Sequence, residues 1–189
     1  RAYETTYAAH VLGLVGSISD YTDELKEKGY KRSDTIGISG AEAAFEKYLR
    51  GSNGKRVTSV NSDGKITGEY YKVEPRSGYT VELTLDLDLQ QSVEDTLAAK
   101  VEQLNQKDSL TSRGASAAVI KVGTGEILAL ASCPTYDLST YGQNIAELSA
   151  DPATPMFNRA TSTPYAPGST LKPATAVAAL ESGVTTTTE

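Results

Sequence analysis

Two apolar runs joined by a Gly-Thr-Gly tripeptide limit the possible folds of this chain most sharply. Residues 115–122 and 126–132 are almost continuous in apolar side chains, and Gly123-Thr124-Gly125 lies between them. Short strands with apolar residues at successive positions bury both faces, so a hairpin at the centre of a larger sheet is expected. After residue 85 the chain offers this hairpin and two helical patterns, too little to cover both sides of it. The domain containing the hairpin is therefore expected to be incomplete within these 189 residues.

The remaining patterns are local. Residues 55–61 and 65–73 flank Asp63-Gly64, a hairpin signal. Residues 79–85 alternate, with Tyr79, Val81, Leu83 and Leu85 on one face and Thr80, Glu82 and Thr84 on the other, which predicts a half-buried strand. Leu89, Val93, Leu97, Val101 and Leu104 recur at helical spacing, so a long helix capped by Asp86 or Asp88 should run to about Gln106-Lys107. Shorter helices are expected over 7–11, ending near Gly13, and over 23–28, with acids first, bases last and Gly29 as the stop. Another begins at Ser39, where Ser39 and Glu42 match a capping box and Ala41, Phe45, Tyr48 and Leu49 share a face. Residues 134–164, with four prolines, read as loop, and a last helix should run from Gly168-Ser169 to Glu181. The class is α+β: a mixed module over 1–84, then the beginning of a second domain over 85–189.

Composition removes several functions. With 18 basic and 24 acidic residues the net charge is −6, poorly suited to gripping nucleic acid. No apolar run approaches the roughly 20 residues that span a bilayer. Cys133 is the single cysteine and His10 the single histidine, which excludes an internal disulfide and any multi-histidine or cysteine-rich metal site. No cofactor and no metal are expected. The chain opens at Arg1 without an initiator methionine and stops in a threonine run before Glu189, and we read it as a piece of a longer protein.

One stretch carries chemistry: Tyr165-Ala166-Pro167-Gly168-Ser169-Thr170-Leu171-Lys172-Pro173. Ser169 falls at the start of the last helix and Lys172 lies three residues on, which puts both side chains on one face. A lysine amine so placed can take the serine proton, and the helix N-terminus favours the negative charge that develops. The bland reading is equally ordinary at this level, since S-x-x-K is a common tetrapeptide and a serine cap followed by a surface lysine needs no function.

The flanks decide between them. YAPGSTLKPATAVAALESG resembles the active-site segment of the penicillin-binding proteins, the serine D,D-transpeptidases of bacterial cell-wall synthesis, whose S-x-x-K is a known signature. Asn158-Arg159-Ala160, GEILALASCPTYDLSTY and TLDLDLQ resemble, in family order, the parts of the transpeptidase domain that precede that segment. RAYETTYAAHVLGLVGSIS and GISGAEAAFEKYLRGSNG resemble the pedestal, or dimerisation, domain of the class B enzymes. The resemblance implies a pedestal over 1–84 and the N-terminal part of a transpeptidase domain over 85–189, truncated after the serine helix. It implies Ser169 as nucleophile and Lys172 as general base. The implied substrates are peptidoglycan stem peptides ending in D-alanyl-D-alanine, with β-lactams acylating the same serine. The parent would be anchored by an N-terminal transmembrane helix, would work outside the cytoplasmic membrane, and could engage cell-wall synthesis or division proteins.

The chain departs from the family in lacking the S-x-N and K-[ST]-G motifs after the serine helix. Ser59-Val60-Asn61 fits the first by letters but precedes the serine, Lys65-Ile66-Thr67-Gly68 has one residue too many, and Lys121-Val122-Gly123 does not match. A lysine with an ordinary pKa near 10.4 must drop about 3 units to act as base at neutral pH, roughly 4 kcal/mol. A helix N-terminus contributes about 0.3–1 kcal/mol of that. The fragment alone is therefore expected to be inactive.

Other candidates read as structural. His10 sits among apolar residues and is expected to be packed or on the surface. Cys133 has no basic neighbour that would make it reactive. Glu42 and Glu46, four apart, are expected to face solvent. Arg1 and Glu42, in pedestal-like segments, are expected to stabilise the fold or domain packing. Two rival functions stand beside the transpeptidase: a non-catalytic pedestal and interaction module, and a serine β-lactamase or β-lactam sensor. The pedestal-like segments weigh against the latter.

Overall fold

The computed structural model describes residue 3 and residues 5–108, 114–162 and 164–188. Arg1, most of the 107–114 connector and Glu189 lie outside the described residues.

The N-terminal half begins with α1 (Ala9–Leu12), β1 (Val15–Ser17), α2 (Asp23–Glu27) and β2 (Thr35–Gly37). Then come α3 (Gly40–Ala44), α4 (Glu46–Leu49), β3 (Lys55–Val60) and β4 (Ile66–Val73). β1 and β2 form one antiparallel pair, which the sequence patterns did not predict, and β3 and β4 form another. Thr22 caps α2 by accepting the Leu25 N–H, and Gly29 follows it in the left-handed region. The Asp63-Gly64 turn is held by Asn61, whose Oδ1 accepts the N–H groups of Asp63 at 3.0 Å and Lys65 at 2.9 Å.

The capping box expected at Ser39 does not form. Ser39 Oγ accepts the Leu14 N–H at 3.1 Å and makes no cap bond to its own helix. Glu42, expected at the surface, is buried and receives the Tyr3 hydroxyl. Glu46 accepts the Tyr30 hydroxyl and the Gly37 N–H, both at 3.0 Å. Tertiary partners have captured each group that local geometry offered to the helix. The expected single helix also breaks at Phe45, giving α3 and α4.

α1 and α3 pass close enough that glycine is required at the crossing. Gly13 sits at φ +82°, and a Cβ there would collide with the Ser39 carbonyl oxygen; a Cβ on Gly40 would meet the Val11 oxygen at 2.6 Å.

The second half contains α5 (Leu87–Asp108), β5 (Ala115–Ile120), β6 (Ile127–Cys133), α6 (Tyr141–Ala150), a 3-10 turn (Gly168–Leu171) and α7 (Lys172–Glu181). Asp86 caps α5, its Oδ1 accepting the Leu89 N–H at 3.0 Å. The predicted stripe of α5 faces inward, with Val101 buried and Leu89, Val93, Leu97 and Leu104 half-buried. It packs on the antiparallel hairpin of β5 and β6.

Two expectations need correction here. Burial on both faces holds for β6, where Ala129, Ala131 and Ser132 are buried and Leu130 half-buried, but not for β5, where Ser116, Ala118 and Ile120 are exposed. Residues 79–85 keep their burial alternation at Val81, Leu83 and Leu85, but pair in no ladder. They are tied instead at the ends, by Tyr79 N–H to the Tyr48 oxygen at 2.7 Å and Asp86 N–H to the Leu128 oxygen at 2.9 Å. α6 was not expected in the proline-rich stretch, although Tyr141, Ile145 and Leu148 stand at helical spacing between its prolines. Among the described residues no helix is long and apolar enough to cross a membrane.

Candidate active site

Ser169 lies in the 3-10 turn and Lys172 is the first residue of α7. Gly168, at φ +55°, follows Pro167, which is already in the right-handed helical region, at the start of the turn. Pro167 starts the turn: its carbonyl accepts the Thr170 N–H at 3.2 Å and the Thr170 hydroxyl. The Lys172 N–H donates to the Ser169 carbonyl, closing an i to i+3 bond. With three residues per turn, side chains at i and i+3 of a 3-10 turn stand one above the other. Positions 169 and 172 therefore fall on one side of the backbone. Pro173, in the first turn of α7, lacks only an N–H that has no intrahelical partner there.

This turn stands open. Ser169 and Lys172 are both exposed, and along α7 only Ala179 is half-buried. Leu171, Val177 and Leu180 are 52%, 57% and 41% exposed, so the apolar side of the helix is uncovered by the described residues. The burial that a lysine base needs is not supplied here.

The segment before the serine is tightly organised. Asn158 Oδ1 accepts the Ser132 hydroxyl of β6 at 3.3 Å and the Ala160 N–H at 3.1 Å. Its Nδ2 donates to the His10 carbonyl at 3.4 Å. The Arg159 guanidinium donates to the Ala153 oxygen at 2.6 Å and the Thr154 oxygen at 3.0 Å. It thereby closes a turn in which Thr154 takes a positive φ of 48°. Asn158 and Arg159 stand in a recognisable sequence motif, but nothing in the sequence signals that Asn158 reaches both β6 and α1.

The other candidates are structural, as expected. His10 is 7% exposed, its Nε2 donates to the Pro155 oxygen at 2.8 Å, and its ring meets Tyr136 edge-on at 5.1 Å. Burial lowers its pKa from the ordinary 6.5, and the Arg159 charge adds to that, against the Pro155 hydrogen bond. Burial raises the Cys133 thiol pKa, with Arg159 opposing, which makes it unreactive. The Ser59-Val60-Asn61 and Lys65-Ile66-Thr67-Gly68 near-matches lie in the exposed β3–β4 hairpin. No group of three or more metal-binding side chains occurs among the described residues.

An S-x-x-K serine at a helix mouth, behind a hairpin packed on a long helix, defines a class of protein, and the chain belongs to the class B penicillin-binding proteins. Residues 1–83 match the penicillin-binding protein dimerisation domain and residues 115–189 the penicillin-binding protein transpeptidase domain. Among curated relatives, the peptidoglycan D,D-transpeptidase MrdA of Escherichia coli is 36% identical over 189 residues, covering 94% of this chain and 28% of the relative. The peptidoglycan D,D-transpeptidase FtsI of the same organism is 32% identical over 156 residues, covering 82% of this chain and 24% of the relative. A chain from a solved peptidoglycan synthase complex aligns with a TM-score of 0.82 at 35% identity, over 98% of this chain and 33% of its own length. Pseudomonas aeruginosa PBP2, solved with WCK 5153, aligns at 0.66 and 31% identity, over 95% of this chain and 34% of its own. The chain thus spans under a third of the curated relatives it matches.

Proposed function

We propose that the parent of this chain is a peptidoglycan D,D-transpeptidase, with residues 1–84 as its pedestal and 85–189 as the first part of its catalytic domain. The observation that supports the reading is the backbone turn that sets positions 169 and 172 on one side, with the Lys172 N–H closed onto the Ser169 carbonyl. In this reaction the neutral Lys172 amine takes the Ser169 Oγ proton as Oγ attacks the carbonyl of the penultimate D-alanine. The peptide C–N bond breaks, and the terminal D-alanine leaves with the proton. An amine of a neighbouring stem then attacks the ester, forming the crosslink, and Oγ regains its proton. A β-lactam acylates the same oxygen by opening its ring. The Ser169 N–H is one donor for the oxyanion.

By analogy with its family, the parent would work outside the cytoplasmic membrane on an N-terminal anchor. The exposure of both Ser169 and Lys172 supports the reading that this stretch alone does not acylate. Fluorescent penicillin and intact mass test both halves. The full-length parent should gain one stable adduct that Ser169→Ala abolishes, and the 189-residue chain should gain none.

A second reading, an interaction module for cell-wall synthesis or division proteins, is favoured by one observation. Every residue of β4 is exposed, including Ile66, Tyr70, Tyr71 and Val73. A lone two-stranded hairpin is marginal in water. This role is compatible with catalysis by the parent. Sedimentation of residues 1–84 alone and with candidate partners tests it; a monomer that binds nothing would count against it.

A further inference from the structure

We propose that His10 is an acid-sensitive latch that holds residues 155–160, and through them the run leading to Ser169, against β6. The link to acylation rests on Ser169 being the nucleophile; the latch itself does not.

The geometry is a clasp made by one residue. The His10 ring donates to the Pro155 oxygen at 2.8 Å, while its main-chain oxygen accepts Asn158 Nδ2 at 3.4 Å. Asn158 passes the hold to β6 through the Ser132 hydroxyl, and the Ala160 N–H bonds to Ser132 Oγ at 3.2 Å. α1 itself is pinned on its far side, where the Ala8 N–H donates to Glu94 of α5 at 2.8 Å. The dimerisation-domain part of the chain is thus buttoned onto the transpeptidase part just upstream of the serine turn.

Burial, not the hydrogen bond, makes the clasp sensitive to charge: an imidazolium would still donate its Nε2–H to Pro155, and that bond favours the charged ring. A carbonyl only accepts, so the neutral ring carries its hydrogen on Nε2. A second proton would create a cation beside Tyr136, Leu130 and Met156 in a site 7% exposed. The charged and titratable groups on the elements packed around it offer no rescue. Arg159 repels a cation, and Tyr136 stays neutral. Glu42 on α3 receives the Tyr3 hydroxyl, and Glu94 on α5 serves Ala8 and Gln90. A cavity of about 310 Å³ beside the ring gives it room to swing away.

The direction follows by linkage. A released histidine takes a proton below pH 6.5, whereas the clasped one resists it, so burial lowers the folded value. The clasp is fully present above 6.5 and is lost as pH falls below it, by at most about ten-fold per pH unit.

His10 is the only histidine, so every imidazole signal in an NMR titration of the 189-residue chain reports on it. The ring should titrate below 6.5, and the Asn158, Ala160 and Ser132 amides should shift with the same midpoint. In His10→Gln, which keeps a donor but cannot titrate, those amides should stay constant over the same range. A ring that titrates at 6.5 or above, or amides that ignore it, overturns the latch. The wild-type titration decides the question even if the variant does not fold. In the full-length parent, penicillin acylation should slow below pH 6.5 in wild type relative to His10→Gln. If the NMR response is present but the two acylation profiles coincide, the coupling to the serine is refuted. If neither protein is acylated at any pH, it is Ser169's role that falls, and the latch stands on the NMR response.

Discussion

The side chain of Gln90 forms both hydrogen bonds of a strand neighbour with the backbone of Leu130. Its Nε2 donates to the Leu130 oxygen at 2.9 Å, and its Oε1 accepts the Leu130 N–H at 2.7 Å. The residue is completely buried, and its Nε2 also donates to Glu94 at 2.7 Å. A helix residue thereby satisfies the free edge of β6, which has no third strand among the described residues. Gln90→Leu keeps the volume but strands two buried backbone groups, at about 1–3 kcal/mol each. Urea denaturation of the chain should show a loss of about 2–6 kcal/mol on that basis, and Gln90→Leu with wild-type stability would contradict the account.

Gly13 and Gly64 both have positive φ, 82° and 77°, but differ in their surroundings. A Cβ at Gly13 would strike the Ser39 carbonyl, while one at Gly64 meets nothing within 4 Å. Gly64→Ala should cost about 1–2 kcal/mol, the left-handed penalty alone. Gly13→Ala should cost clearly more, because α1 and α3 must also separate. Thermal melts of the pair check the ordering.

Arg50 lies over the Tyr30 ring at 3.4 Å and donates to the Lys28 and Gly29 oxygens, both at 2.8 Å. A lysine can neither stack a planar guanidinium nor reach both carbonyls. Arg50→Lys should therefore destabilise by about 1–2 kcal/mol, even though charge is conserved. Equal midpoints for the two proteins would refute the stacking argument.

Burial pushes the Tyr136 hydroxyl up to about 12, with Tyr141 adding to it. The folded value is above the unfolded one near 10, so Tyr136 stabilises the fold fully below pH 10 and loses that contribution as pH rises toward 12. An ultraviolet titration of the eleven tyrosines should show a step near pH 12 that is absent in Tyr136→Phe. A Tyr136→Phe curve that still contains the late step would disprove the assignment.

Because Ser169 is exposed and in contact with little, Ser169→Ala should change stability by less than about 0.5 kcal/mol. Lys172→Ala in the full-length parent should slow acylation by about 10²–10⁴-fold while leaving the melt unchanged. A variant that loses stability and labelling together would point to a structural lysine.

What could be read in the residues alone was whatever depends on near neighbours. The α5 stripe from Leu89 to Leu104, the Asp63-Gly64 turn, the Asp86 cap and the stop at Gly29 are set by spacing and backbone preference within a few residues. The i to i+3 backbone bond that sets positions 169 and 172 on one side of a turn is equally local. The tertiary structure alone decided where unspent hydrogen-bonding groups went. Ser39 bonds to Leu14 rather than its own helix, Glu42 is buried beneath Tyr3, Gln90 stands in for a strand, and Asn158 joins α1 to β6. Each of those partners lies 25 to 148 residues away in sequence. The reason is energetic: a buried polar group must find a partner, and a pattern of neighbours specifies that need without specifying who meets it.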